Sequence, residues 1–155
     1  MFINAQNVNI ISTFAAIREA LTSFNSPSVP AGPKTFIFTG NTLNQGAFPG
    51  LLTLGSGKAG AAWMVECADL IFSPGSKHGG TGDVRFFYLD ERHEDGTPLF
   101  TGLGGEAHAE AFFGLTGRKK GWDGLEWLVT FVSGAGERET RFKEFRKGLI
   151  LPEGM

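Results

Sequence analysis

Residues 51–64, LLTLGSGKAGAAWM, decide how the rest of the chain is interpreted. A mostly apolar run leads into a glycine-rich turn, and a helix of small residues follows the turn. Gly55, Gly57 and Gly60 match the GxGxxG pattern, whose glycines let the pyrophosphate of a dinucleotide approach the start of a helix. One interpretation of this stretch is therefore a dinucleotide-binding turn.

The wider sequence argues against that interpretation. The pattern expects an acidic residue about 20 residues further on, whereas Asp90, the acid that ends the next strong strand, lies 30 residues beyond Gly60. Three glycines at this spacing also arise easily by chance in a chain with 23 of them. A Walker loop is excluded because Ala59 occupies the position of the Ser or Thr that binds magnesium. Residues 102–107, GLGGEA, predict only a glycine turn before a helix.

Helical and strand-like patterns alternate along the chain. Apolar residues at helical spacing predict a helix over about 7–24, and continuous apolar runs predict strands covered on both faces. The other predicted elements are strands at 34–40, 84–89 and 125–132, helices at about 56–72 and 106–115, a glycine-rich loop at 73–82, a charged turn at 90–96 and a C-terminal helix or tail at 137–147. This alternation predicts an α/β fold with a parallel sheet of about three strands.

The totals set limits on the class of protein. A chain of 155 residues predicts a single domain over 1–155, and a net charge of −2 gives no attraction to nucleic acid or to an anionic membrane. No apolar run approaches the roughly 20 residues that span a bilayer. The N-terminus lacks the pattern of a signal peptide, and the one cysteine, Cys67, cannot form an internal disulfide. We therefore expect a cytoplasmic protein with no nucleic-acid or membrane partner.

Two clusters combine histidine with acidic residues, at 90–95 and at 106–110. Neither has the paired histidines or the cysteine spacing that makes a metal site specific. The first cluster predicts a charged hairpin tip and the second a solvated helix face. The chain also lacks the GxSxG motif of a hydrolase, so neither a metal nor a nucleophilic hydrolase site is expected.

Three motifs together resemble the C-terminal half of a short-chain dehydrogenase/reductase. Asn7-Val8-Asn9 opens a helix, as the Asn-Val-Asn segment of that family does. Thr39-Gly40-Asn41 ends a strand where the family has its catalytic serine, and Lys58 resembles the lysine of the Tyr-x-x-x-Lys motif. Residues 36–41 and 54–59 also resemble fungal members of the family, many of which lack the tyrosine. The resemblance implies a partial Rossmann-like three-layer sandwich and a role in fungal metabolism.

The resemblance implies roles for five residues. Asn9 matches the asparagine that holds a proton-relay water, with a helix cap as its alternative role. Lys58 matches the lysine that binds the cofactor ribose and lowers the pKa of the tyrosine. Asn41 stands in place of the serine and can donate a hydrogen bond to a carbonyl oxygen, whereas Leu54 stands in place of the tyrosine and transfers no proton. Lys58, Asn9 and Asn41 are thus the expected catalytic residues, with Leu54 and Asp90 in the substrate pocket.

Tyr88, the one tyrosine of the chain, is predicted to be a strand aromatic rather than a replacement acid. With the tetrad broken, the first hypothesis is a degenerate active site that works without a cofactor, as an isomerase, cyclase or lyase on a small carbonyl metabolite. The second is an NAD- or NADP-dependent oxidoreductase whose cofactor-binding half comes from elsewhere. The third is a non-catalytic pseudoenzyme that acts as a scaffold. Because the dimers of the family bury the two helices matched here, a homodimer or another homo-oligomer is expected.

Overall fold

The computed structural model describes residues 2–74, 83–118, 124–133 and 140–145. The helices are α1 (Phe2–Gln6), α2 (Ser12–Phe24), α3 (Leu52–Phe72) and α4 (Gly105–Phe113), with π-helical turns at Asn7–Ile11 and Gly114–Arg118 and a 3-10 turn at Thr42–Asn44. The strands are β1 (Lys34–Thr39), β2 (Val84–Arg92), β3 (Leu128–Val132) and β4 (Arg141–Phe142). Most of the predicted loop at 73–82 lies outside the described residues, as do residues 137–139 and 146–147 of the predicted C-terminal helix or tail.

The four strands form one sheet in the order β1-β2-β3-β4. β1 pairs with β2 in parallel, with Phe38 opposite Tyr88, and β2 pairs with β3 in parallel, with Leu89 opposite Val129. The predicted α/β fold with three parallel strands is therefore confirmed. β4 is an addition, because residues 141–142 pair antiparallel with β3. The prediction of a helix or tail is wrong at this point, where Phe142 packs against the buried cluster on the α4 face of the sheet.

The helices cover both faces of the sheet and complete three layers. On one face, Ile17 of α2 and Val65 of α3 pack against Phe86 and Tyr88. On the other face, α4 packs against a cluster that includes Phe87, Leu89 and Phe131. Because alternate residues of a strand point to opposite faces, the continuous apolar run of β2 serves both layers.

The N-terminal helix begins earlier than the sequence predicts. Residues 2–6 are already helical, and Gln6 has helical backbone angles (φ −69°, ψ −37°) where the π-helical turn begins. Asn9 consequently lies inside the helix, so its alternative role as a helix cap is wrong. Its Nδ2 donates to the Ala5 carbonyl oxygen (2.9 Å), and the Thr13 hydroxyl donates to the carbonyl oxygen of Asn9 (2.8 Å).

The helix predicted from about residue 56 begins earlier, at Leu52, so the glycine turn predicted before it is wrong and Gly55 lies within α3. Two of the glycines serve helix packing instead. A Cβ atom on Gly57 would lie 2.6 Å from the Cβ of Asn9, and one on Gly60 would lie 2.8 Å from the Cδ1 of Ile10. The N-terminal helix thus packs closely on α3, most tightly at Gly57.

β2 also continues further than predicted. The sequence places a charged turn at 90–96, yet Asp90, Glu91 and Arg92 are the last residues of the strand and are buried. Asp90 and Arg92 form an ion pair, which offsets part of the cost of burying two charges. The hairpin tip itself follows, where the His93 amide donates to the Thr97 carbonyl oxygen (3.1 Å). Across the described ranges, no helix is both long enough and apolar enough to cross a bilayer.

Candidate functional site

A cavity of about 230 Å³ lies at the carboxyl edge of the sheet, where β1 and β2 end. In parallel sheets this edge is the usual place for a ligand, because the loops that follow the strands meet there. The walls come from the ends of both strands, the start of α3 and the segment before α4. Their polar members include Asn41, Thr42, Asp90 and Glu91, and their apolar members include Leu54 and Leu103.

Three of the five predicted site residues line this cavity. They are Asn41, Leu54 and Asp90, which come from three separate segments of the chain. Lys58 and Asn9 do not contribute to its walls. The structure thus brings the predicted substrate pocket and the replacement for the serine together, and it leaves the predicted lysine and helix asparagine outside.

The backbone of Asn41 is held by Tyr88. The Tyr88 hydroxyl accepts a hydrogen bond from the Asn41 amide (3.1 Å) and donates one to the Asn41 carbonyl oxygen (2.9 Å). The side-chain Oδ1 of Asn41 accepts from the Leu43 amide (3.1 Å) at the start of the 3-10 turn. Within the described part of the chain no residue accepts a hydrogen bond from Nδ2 of Asn41. An amide nitrogen is a hydrogen-bond donor, so Asn41 keeps donor capacity at the cavity wall.

Tyr88 itself is a buried strand aromatic, as predicted. Its ring stacks on Phe38 with the centroids 5.6 Å apart, and burial raises the pKa of its hydroxyl above the ordinary value. The ring also occupies the space beside Gly40, where a Cβ atom would lie 2.0 Å from it. Tyr88 therefore shapes the rim of the cavity, and at neutral pH its hydroxyl is a hydrogen-bonding group rather than an acid.

Asp90 is the titratable group best suited to proton transfer in the cavity. Burial raises the pKa of its carboxyl to about 6, although the charge and hydrogen bond of Arg92 oppose that rise. Both Nε and Nη2 of Arg92 lie 2.6 Å from Oδ2 of Asp90. The same guanidinium donates to the Gly96 carbonyl oxygen (3.0 Å) and to Oε1 of Gln45 (3.1 Å). Arg92 therefore connects the acid to both adjoining loops.

Glu91 was not among the predicted site residues, because the sequence assigned it to a charged turn. Its side chain is fully buried, and no described residue donates a hydrogen bond to either carboxyl oxygen. Nδ1 of His108 lies 3.4 Å from Oε2 of Glu91 and 3.0 Å from the carbonyl oxygen of Gly104. The hydroxyl of Thr42, also in the cavity wall, likewise has no hydrogen-bond partner among the described residues. The cavity wall thus offers acceptors for a ligand or for water.

Lys58 lies in α3, on the side that faces the end of β1. Its Nζ is 3.4 Å from the Thr39 carbonyl oxygen and 4.9 Å from the centroid of the Phe38 ring. Burial lowers the pKa of this amine. Asn9 packs against the neighbouring Gly57, but its side-chain amide is engaged within its own helix.

The described residues do not fit the pyrophosphate of NAD or NADP. The GxGxxG glycines lie inside a helix, and Gly57 and Gly60 face another helix rather than open space. Gly104 precedes α4, as the predicted glycine turn requires, but a loop rather than a strand leads into it. Nor do the described ranges contain a group of three His, Cys, Asp or Glu side chains that could hold a metal ion.

Comparison with curated proteins finds the short chain dehydrogenase/reductase dmxR12 of Cryptosporiopsis sp. (strain 8999). It is 41% identical to this chain over 130 residues, which are 84% of this chain and 48% of the relative. The chain thus spans about half the length of the curated relative that it matches. No protein-family model and no solved structure matches the chain.

Proposed function

This chain is short-chain dehydrogenase/reductase-like at the level of the family, and from that premise we propose that its cavity binds a small carbonyl compound and catalyses proton transfer. The reaction class is that of an isomerase, cyclase or lyase. One observation carries the proposal: Leu54, at the position of the family's tyrosine, lines the same cavity as Asp90. The wall therefore contains a carboxyl-bearing residue in the cavity in which the resemblance expects a phenol, and this supports the proposal.

Asn41 and Asp90 each have a definite part in such a reaction. Nδ2 of Asn41 donates a hydrogen bond to the carbonyl oxygen and stabilises the negative charge that develops on it. The carboxylate of Asp90 removes a proton from the carbon next to the carbonyl, and an enolate forms. Return of that proton to a different atom gives an isomer, whereas loss of a group from the next carbon gives a lyase product. No electron acceptor takes part.

The proposal is tested by exchange of the protons next to the carbonyl of butanone in heavy water, followed by proton NMR. Asp90→Asn removes the base and keeps the shape, so the exchange rate should fall at least about 100-fold. Glu19→Gln, at an exposed acid on α2, is the control and should keep the full rate. The rate should also rise with pH through about 6, where the carboxyl of Asp90 ionises. An unchanged rate in folded Asp90→Asn would contradict the proposal.

A second candidate is an NAD- or NADP-dependent oxidoreductase whose dinucleotide-binding half is not in this chain. The name of the relative and the 48% of its length that is covered favour this candidate. Lys58, beside the end of β1, is the residue we propose for the cofactor ribose. Titration of NADH and NADPH into this chain tests the part assigned to Lys58: saturable binding below about 1 mM that Lys58→Ala weakens supports that part, and binding that Lys58→Ala leaves unchanged contradicts it.

A homo-oligomer built on the N-terminal helix and α3 is the third proposal, and it is compatible with either activity. An apolar face on these helices is exposed, with Val8 69%, Ile11 59%, Phe14 59% and Trp63 67% accessible. Exposed apolar patches of this kind mark protein interfaces. Sedimentation should show a dimer, and Phe14→Asp should give a monomer. Phe113→Asp, at an exposed phenylalanine on the opposite face of the sheet, should leave the dimer intact.

The expected cytoplasmic location stays a prediction.

A further inference from the structure

A larger groove adjoins the cavity on the other side of the loop between β1 and α3. Its volume is about 510 Å³, and Leu43 and Leu51 line both spaces. Because Leu43 and Leu51 border both spaces, the cavity and the groove are immediate neighbours.

The two compartments differ in chemistry. The polar residues Asp90, Glu91 and Asn41 line the cavity. Phe48, Leu52 and other apolar or glycine residues form most of the groove, where Asn44 and Ser56 supply the polar side chains. A polar compartment beside an apolar one suits a ligand with two such parts.

An aromatic pair marks the border between the compartments. Phe48 lines the groove, Phe100 lines the cavity, and their rings meet edge to face with the centroids 5.5 Å apart. The cavity alone is smaller than the range of about 300–1,000 Å³ that is usual for ligand pockets, whereas the two compartments together fall within it. The cavity by itself therefore holds only the reacting part of a typical metabolite.

We propose that the ligand has a carbonyl-bearing head, which enters the cavity, and an apolar body, which lies in the groove along Phe48 and Leu52. The inference rests on the proposed function, because it takes the head to be the carbonyl compound on which Asp90 acts. It adds the class of substrate: a ketone or aldehyde with an apolar ring or chain, rather than a small polar metabolite.

Two ketones with the same head test this inference. Butanone carries no body, whereas 4-phenyl-2-butanone adds a phenyl ring, and both are titrated into the protein while backbone amides are followed by NMR. Burial of the ring predicts that the phenyl ketone binds at least about tenfold more tightly. Both ketones should shift the amides of Asn41 and Asp90, and only the phenyl ketone should shift those of Phe48 and Leu52.

Ala59→Trp fills the groove from the exposed surface of α3 and should remove the tenfold advantage without weakening butanone. Ala59→Leu is the smaller change should the tryptophan disturb folding. Ala16→Trp, at an exposed alanine of α2 that lines neither compartment, is the matched control. Equal affinity for the two ketones, or no effect of either Ala59 variant on the binding of the phenyl ketone, overturns the proposal of a two-part ligand but leaves the proposed function standing. Failure of both ketones to bind up to about 10 mM overturns the proposed function as well.

Discussion

Asp90 shows how a nearby residue of opposite charge can change the expected location of a charged side chain. In the sequence it opens a run of acids and bases that resembles a solvated turn. In the structure Arg92, two residues further along the same strand, lies on the same side of the sheet and pairs with it. The pair lets the strand continue into the core, so that Asp90 becomes a buried acid in a cavity wall.

The free energy of unfolding should depend on pH because Asp90 is buried. A carboxyl whose pKa rises from about 3.8 to about 6 on folding stays protonated in the native state after it has ionised in the unfolded state. Its contribution is therefore full below pH 4 and is lost as pH rises to 6, by about 3 kcal/mol. Chemical denaturation of Asp90→Asn should lack this loss. Parallel pH profiles for the wild type and the variant would contradict the raised pKa.

Gly40 and Tyr88 form a second pair that matters at the scale of single residues. A methyl group on Gly40 would meet the tyrosine ring at 2.0 Å, so Gly40→Ala should cost about 1–3 kcal/mol. In the background of Tyr88→Ala the ring is gone, and the same change should cost almost nothing. Urea denaturation of both single variants and the double variant measures this coupling. If the free-energy changes of the two single variants simply add in the double variant, the tyrosine ring is not the reason that position 40 requires glycine.

At the scale of elements, the three glycines of α3 have different surroundings, and these predict the effect of replacing each one. Gly55 has open space around it, Gly57 faces the Cβ of Asn9, and Gly60 faces the flexible end of Ile10. Helix propensity favours alanine over glycine by about 1 kcal/mol. Gly55→Ala should therefore stabilise the protein by up to about that amount, whereas Gly57→Ala should destabilise it and Gly60→Ala should lie between them. Thermal unfolding ranks the three variants. Destabilisation by Gly55→Ala would favour a turn over a helix.

The sequence predicted elements better than their ends. Periodicity locates the apolar runs of β1, β2 and β3, because each run is long and strongly patterned. It places the start of α3 too late, because glycine signals a turn unless a second helix needs the space. That need comes from Asn9 and Ile10, which are far from α3 in the sequence. Glu91 was missed for a related reason, since its burial depends on contacts from α4 that no local pattern shows.

At the scale of the whole molecule, the strand order leaves β1 at one edge of the sheet. Among the described residues, no strand pairs with its outer side. Exposed edges of this kind attract other strands, so Thr39→Lys, which places a charge at the exposed end of β1, should reduce association between copies at high concentration. Light scattering of the variant and of the Lys34→Gln control follows this effect. Equal scattering by Thr39→Lys and the wild type would show that the edge does not drive association.

The contacts of Arg92 have a thermodynamic consequence for communication across the molecule. One guanidinium touches Asp90 in the cavity, Gln45 in the loop before α3 and Gly96 at the hairpin tip. A ligand that changes the charge of Asp90 should change the strength of these three contacts, including the one that holds the hairpin tip. By reciprocity, displacement of the tip should change the affinity for the ligand by the same factor by which the ligand changes the equilibrium of that displacement. We therefore expect ligand binding, proton uptake and hairpin position to be coupled through Arg92.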